Sequence, residues 1–361
     1  MKHLALIDNY RRTLELIPKQ IRDRVNKPGG LNEETLLDVI FNPHNNDVFS
    51  PSPPQDNFIL REENVEKLNS IGERIIDSGE IAYCILAGGA GTRIGEPKSL
   101  LRIPQLDVSL LELKLQQAPG TGPIWVITSP TLYEKTLKHL EAITASNPIL
   151  KSRVELIEQY ESYRLNLDNT ISFLDGAPEL YPCGHGDVFQ LIARSEALTR
   201  FVSAGGKHIS IVNVDNIHAS LDPTIIGRHR LSKMKVSCEV VLKSADDSGG
   251  VLCDVDGSLQ IVESFRIHDA DLREFKWLNT NSFIVDVDID FLALGARWNR
   301  VRKIVQGRTI VQHERLLQEV TAAYETAFLA IERHRRFLPI KNSDDLITAS
   351  RQLGHAFFGE K

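Results

Sequence analysis

The apolar positions change their period along the chain. Before residue 80 they recur at helical spacing, first as Leu4, Ile7, Leu14, Ile17 and Ile21 and again as Val65, Leu68, Ile71 and Ile75. Both series predict helices with one buried face. Between them lies NPHNNDVFSPSPPQDN (42–57), crowded with Pro, Asn, Asp and Ser and expected to be a loop or a mobile lid. At Ile81 short unbroken apolar runs take over. IAYCILAGG reads as a buried strand entering a tight glycine turn.

Further strands are expected at 124–129, 208–216, 236–243, 258–264 and 281–289, a helix at 132–143, and a long helical tail over 312–335. Strands alternating with helices predict an α/β fold with a doubly wound, mostly parallel sheet covered on both faces. The chain divides on this reading into a helical extension (1–80), an alternating α/β region (81–347) and a short tail (348–361). No internal repeat is visible.

Composition narrows the functional classes. The 361 residues, 42% apolar and 25% charged, suffice for one large α/β core or two modest ones. A net charge of −6 argues against a nucleic-acid footprint, while leaving room for a basic pocket around one phosphorylated ligand. Cys84, Cys183, Cys238 and Cys253 form no CxxC pair, so reduced thiols in a cytoplasmic setting are expected, not disulfides or a zinc site. The charged N-terminus is unlike a signal peptide, and no run approaches the roughly 18 apolar residues of a membrane span. Neither nucleic acid nor membrane is expected as a partner, and the oligomeric state leaves no sequence signal.

The sharpest chemical feature is LAGGAGTRIGEPKSLLRI (86–103). Leu86 and Ala87 lead into Gly88, Gly89 and Gly91, whose missing Cβ atoms let backbone N–H groups converge on an anion. Arg93 and Lys98 add fixed positive charge in the same turn. Together they predict a triphosphate cradle at the carboxyl end of the first strand. A glycine turn that merely links strand to helix is the plainer reading, and Arg93 with Lys98 argues against it. The spacing is neither G-x-x-x-x-G-K-[ST] nor G-x-G-x-x-G, which disfavours P-loop NTPases and dinucleotide-dependent dehydrogenases.

LAGGAGTRIGEPKS resembles the signature of sugar-nucleotide pyrophosphorylases, and other segments narrow the likeness to the UDP-sugar pyrophosphorylase family. YPCGHGDVF (181–189) resembles its PPGHGDVY, and ISIVNVDNIHASLDP (209–223) its N-x-DN strand. LQIVES (259–264) is similar to its VVEYSE, and LNTNSFIV (278–285) to its FNTNNLWV. RRFLPIKNSDDLI (335–347) matches its RFLPVKxTSDLL most fully. There are departures. Only Glu96 separates RIG from PK, LAGG and GHGD look like different branches of the family, and the last match ends at Ile347, so the usual β-rich C-terminal domain is expected to be missing.

The resemblance implies a Rossmann-like, GT-A-like nucleotidylyltransferase core. The implied reaction joins an NTP, with UTP expected, to a sugar 1-phosphate and releases pyrophosphate with Mg²⁺ as cofactor. Arg93, Lys98 and Lys341 would neutralise the phosphates, and Asp215 would hold the metal. Gln159, Gly184 and the glycine turn would bind the nucleotide. His185, Asn213, Glu263 and Asn281 would meet the sugar phosphate. Plainer readings stand beside these: surface charges for the cations, a turn or cap for Asp215, and a surface helix for Gln159. Asp222 of the DP pair reads more simply as a helix start, and Cys183 as a buried small residue. Tyr163 replaces a family proline near Gln159, which leaves open guanylyl or other nucleotidyl transfer to a cyclitol phosphate. A catalytically silent sugar-nucleotide sensor is the alternative from another class.

Overall fold

A computed structural model of the chain describes residues 2–41, 50–55, 64–89, 91, 94–104, 106–245, 247–268, 272–295 and 297–358. Its centre is a nine-stranded sheet. In chain order its strands are β1 (Ile81–Leu86), β2 (Ile124–Thr128), β3 (Val154–Glu158), β4 (His208–Asn213), β5 (Val236–Leu242), β6 (Gly250–Val255), β7 (Ser258–Glu263), β8 (Trp277–Asp286) and β9 (Thr326–Ala330). The spatial order is β3-β2-β1-β4-β8-β5-β9, with the hairpin β6-β7 added beside the start of β8. Along that path only β8 runs against its neighbours.

The two-residue period of the strands decides what each face buries. On β1, Ala82, Cys84 and Leu86 join one core, with Trp125, Ile127, Ile209 and Ile211 from the neighbouring strands. Ile81, Tyr83 and Ile85 join a second core on the opposite face, with Ile124, Val126 and Val212. Helices close both sides, as a parallel sheet requires. The first face receives Asp187–Arg194 and Glu196–Ser203, where Phe201 meets Trp125 edge-on at 5.6 Å. The second receives Val65–Asp77, Leu110–Gln116, Pro223–Ser232 and Ser343–Phe358.

The N-terminal helices belong to the first core. Tyr10, Leu14, Leu31 and Leu36 pack with Tyr160, Tyr163 and Phe189. Glu33 ties them further, taking two hydrogen bonds from Arg22 at 2.9 and 2.8 Å and one from Tyr163 at 3.2 Å. The helix Val65–Asp77 crosses Pro223–Ser232 backbone to backbone: a Cβ at Gly72 would meet the Pro223 carbonyl, and one at Gly227 the Leu68 carbonyl. Asp222 caps the latter helix, accepting from Thr224 and Ile225 N–H at 2.8 and 3.1 Å, the simpler role expected of it.

The expected helix over 312–335 is not there. Residues 312–314 end the strand Arg308–Glu314, which pairs with Asn299–Val305 in a hairpin turned by Gln306 and Gly307. Short helices at Val320–Ala323 and Arg333–Arg336 flank β9, which lies parallel to β5. Helix-forming Glu, Leu and Ala suggested a helix, but burial of Phe328 and Leu329 against the sheet outweighs local propensity. Most of the proline-rich 42–57 segment lies outside the described residues; within it, Ser52 bridges to Asp254 of β6. Among the described residues no helix is long and apolar enough to cross a membrane.

Candidate active site

The strand order reverses direction at β1, with β2 on one side and β4 on the other, both parallel to it. Open α/β sheets bind ligands in the crevice at such a switch point, beyond the carboxyl ends of the strands. A pocket of about 280 Å³ lies there, lined by Leu86, Gly88, Gly89, Lys98, Ile127, Gln159, Pro182, Gly184, His185, Asn213, Asp215, Lys303 and Glu314, with Val214 beside them. A larger cleft of about 920 Å³ sits between the helices Val65–Asp77 and Pro223–Ser232 near Glu80 and Lys207. It lies at the amino ends of β1 and β4, the wrong edge of the sheet for this chemistry.

One end of the pocket is built from glycines and an amide. Gln159 is buried, its Nε2 donates to the Gly184 carbonyl at 3.1 Å, and its Oε1 lies where a Cβ on Gly88 would be. No described residue donates to that Oε1. Gly184, at φ +100°, holds its turn against the Arg315 carbonyl and has no space for a side chain. Gly91, at φ +61°, closes the first glycine turn against the Glu96 carbonyl. Ala87 is different. Its N–H is spent on the Ile127 carbonyl at 2.7 Å and its side chain is in the core, so no amide remains there for a ligand.

Charge collects at the ends of β1 and β4. Lys98 opens a short 3-10 turn after Pro97, and its Nζ is paired with Asp215 Oδ2. Asp215 Oδ1 takes no bond from a described residue, and the side chain is 16% exposed. A single open carboxylate at the pocket's edge suits Mg²⁺, which takes one or two carboxylates and completes its shell with water and phosphate oxygens. The donor set therefore fits that ion, and Asp215 would be the residue to hold it. Arg93 lies outside the described residues. Lys341 reaches the same edge from late in the chain, because the Ile340 N–H donates to the Asp215 carbonyl at 2.9 Å. Lys341 itself is half-buried and outside the pocket lining.

His185 and Asn213 line the pocket, and Asn281, outside the lining, is bonded to Asn213. The Leu317 N–H donates to His185 Nδ1 at 2.9 Å, so the neutral ring carries its proton on Nε2. Burial, helped by Lys303, pushes the imidazolium down to about 4, which keeps the ring neutral at pH 7. Asn281 sits at φ +59° where β8 slips register against β5, and its Nδ2 donates to Asn213 Oδ1 at 2.9 Å. Bulges of this kind re-aim side chains beside functional sites. Glu263, outside the pocket lining, accepts from Gln318 Nε2. Burial raises its carboxyl to about 7, against the lowering effect of Gln318 and with Glu319 and Glu314 adding to the rise.

Sequence reasoning missed Lys303 and Glu314, an ion pair on the hairpin that walls the pocket. The hairpin's sequence signal is confined to Gly307 at its turn and says nothing of a pocket. The four cysteines are all buried, and Cys183 is packed in the first core as expected. At the amino end of β4, Asp286 Oδ1 lies 2.6 Å from His208 Nδ1 and 2.9 Å from His229 Nε2. Zinc bonds of about 2.0–2.2 Å would hold its ligand atoms roughly 3.3 Å apart, so the spacing is that of hydrogen bonds fastening the helix Pro223–Ser232 to the sheet.

A profile of the family described as UTP–glucose-1-phosphate uridylyltransferase matches residues 45–356. The UTP–glucose-1-phosphate uridylyltransferase of Solanum tuberosum is 27% identical over 295 residues, covering 74% of this chain and 60% of its own. UTP–glucose-1-phosphate uridylyltransferase 2 of Dictyostelium discoideum is 25% identical over 337 residues, covering 84% and 64%. The chain thus spans less than two thirds of the length of these relatives. A mutant UDP-glucose pyrophosphorylase from Leishmania major, solved in complex with UDP-glucose, shares the fold. Its TM-score is 0.72 at 20% identity, covering 92% of this chain and 77% of that one.

Proposed function

The chain belongs to the UTP–glucose-1-phosphate uridylyltransferase family, and on that premise we propose that it transfers a nucleotidyl group from UTP to a sugar 1-phosphate and releases pyrophosphate. The observation that carries the proposal is the convergence of Lys98 and Asp215 opposite the Gly88–Gln159–Gly184 cluster in one switch-point pocket. A sugar-phosphate oxygen attacks the α-phosphorus, the bond from that phosphorus to the α,β-bridging oxygen breaks, and pyrophosphate leaves with both electrons. No proton transfer is needed, so positioning and charge neutralisation do most of the work.

Lys98 exchanges its bond to Asp215 for phosphate oxygens when the nucleotide arrives. Arg93 and Lys341 add charge from the glycine turn and the late segment. Asp215 would hold Mg²⁺, which would supply charge neutralisation on the phosphates. His185 offers its Nε2–H to the acceptor, whose hydroxyls meet Asn213, Asn281 and Glu263. The base is chosen at Gln159: with Nε2 committed to Gly184, the free Oε1 is an acceptor that needs a donor. Uracil N3–H and guanine N1–H supply one, whereas the matching ring nitrogens of cytosine and adenine are acceptors.

The solved relative bound to UDP-glucose supports glucose 1-phosphate as the first acceptor to try. The test is pyrophosphate release across four NTPs and a panel of sugar and cyclitol phosphates, each with Mg²⁺. UTP with a hexose 1-phosphate is expected to give the highest kcat/KM. A preference for GTP or a cyclitol phosphate would redirect the substrate assignment. No turnover with any pair would remove the enzyme reading.

A further inference from the structure

The two charges invoked above, Asp215 and Lys341, come from segments far apart in sequence, and one side chain fastens them together. Asn216 follows Asp215 and is 1% exposed. Its Nδ2 donates to the Arg336 carbonyl at 3.0 Å, and its Oδ1 accepts from the Leu338 N–H at 3.0 Å. Both edges of the amide are thus spent on the backbone on either side of Phe337. Next to it Ile217 N–H donates to the Leu338 carbonyl at 3.3 Å, and Ile340 N–H to the Asp215 carbonyl at 2.9 Å. The Asn216↔Pro339 bridge completes a short antiparallel contact that carries no strand of its own.

Both partners of this contact are anchored. Arg336 makes a two-pronged ion pair with Glu239 of β5, at 3.0 and 2.7 Å, and donates to the carbonyls of His218 and Ser220 at 3.2 and 3.3 Å. The fully buried Lys114 and Tyr83 donate to the Ala219 carbonyl at 2.7 and 2.5 Å. Beyond Lys341, Asp345 Oδ2 accepts from the N–H groups of Lys341 and Asn342 at 2.7 and 3.0 Å, fixing the start of the last helix. A buried cation spent on loop carbonyls is an expensive way to hold a turn. The return is rigidity where two opposite charges must face one substrate.

We propose that Asn216 is a positioning residue: its amide clasps the 336–340 segment to the Asp215 turn and so sets where Lys341 stands against the reacting phosphates. The inference rests on the transferase reading above. An asparagine suits the task because one planar group presents a donor and an acceptor together. Aspartate keeps the shape and the acceptor but loses the donor, and it sets a negative charge against the Arg336 carbonyl. A displacement of about 1 Å at such a site costs on the order of a hundredfold in rate.

The experiment pairs backbone exchange with kinetics on the full chain. In Asn216→Asp, the Leu338 and Ile340 amides should exchange at least about tenfold faster while those of Cys84 and Ile85 stay protected. Its kcat should fall about thirtyfold or more, with the KM for UTP within about threefold. Lys341→Ala should cost about a hundredfold in the parent but less than about tenfold in the Asn216→Asp background, because residues acting as a unit are not additive. Asp345→Ala, a half-exposed site expected to fold, releases Lys341 from its other side and should give the same split. Unchanged exchange at Leu338 and Ile340, or fully additive losses, would overturn the clasp. A parent without turnover but with the exchange result intact would instead sink the transferase reading.

Discussion

Replacing Gln159 by alanine separates base reading from the ordinary cost of damaging a pocket. The change removes the Oε1 acceptor, the 3.1 Å bond to the Gly184 carbonyl, and the packing against Gly88. The last two losses are felt before any base enters, so they lower every NTP alike. Facing the base's ring nitrogen, the acceptor is matched by uracil N3–H and guanine N1–H but not by the lone pair of cytosine N3 or adenine N1, and an unmade hydrogen bond to a buried donor costs about 1–3 kcal/mol. That is roughly five- to 150-fold in kcat/KM, taken from UTP and not from CTP or ATP. The assay is pyrophosphate release for all four NTPs at saturating sugar 1-phosphate, in parent and variant. The UTP:CTP ratio should collapse by that factor. If all four substrates decline together and their ranking is kept, Gln159 holds the pocket's shape and does not read the base.

Three further outcomes are expected. Gly227→Ala forces a methyl into the Leu68 carbonyl, so urea unfolding should show a loss of about 1–3 kcal/mol; undiminished stability would mean the two helices are not in this register. Glu263 is raised by burial to about 7, beside Gln318, Glu319, Glu314 and Arg266, so the native state holds a proton between the usual carboxylate range and about 7. Stability should therefore fall as pH rises through that window, while the KM for the sugar 1-phosphate improves as Glu263 ionises. A KM flat from pH 6 to 8 would take Glu263 out of the acceptor site. Asp215→Asn should abolish turnover while Tm changes little, and near-normal rates at ordinary Mg²⁺ would refute its role as metal ligand.

The parallel core was legible because buried strands write unbroken apolar runs, and β1, β2 and β4 end within three residues of where those runs stop. The glycine turn was legible because its conformation excludes other residues, as Gly91 and Gly184 show. The region from 299 to 330 was not. There Leu316, Leu317 and Val320 imitate a helix face, and only pairing with distant partners, Leu165 for Val311 and Val236 for Thr326, makes strands of it. Lys303 was invisible for the same reason: a lysine on a misread hairpin has no neighbours in sequence to suggest a pocket. Asn216 is next to Asp215 in sequence, but the partners that give it a role lie some 120 positions away.

The central claim is that a sugar-phosphate oxygen attacks the α-phosphorus of UTP in this pocket. It is tested most directly by tracing that oxygen. Glucose 1-phosphate carrying ¹⁸O in its non-bridging phosphate oxygens is incubated with UTP, Mg²⁺ and the protein, and the products are weighed by mass spectrometry. The mechanism predicts UDP-glucose that keeps the full label, one atom of it in the new bridge, and pyrophosphate with none. Labelled pyrophosphate, released inorganic phosphate in place of pyrophosphate, or no sugar nucleotide at all would contradict it.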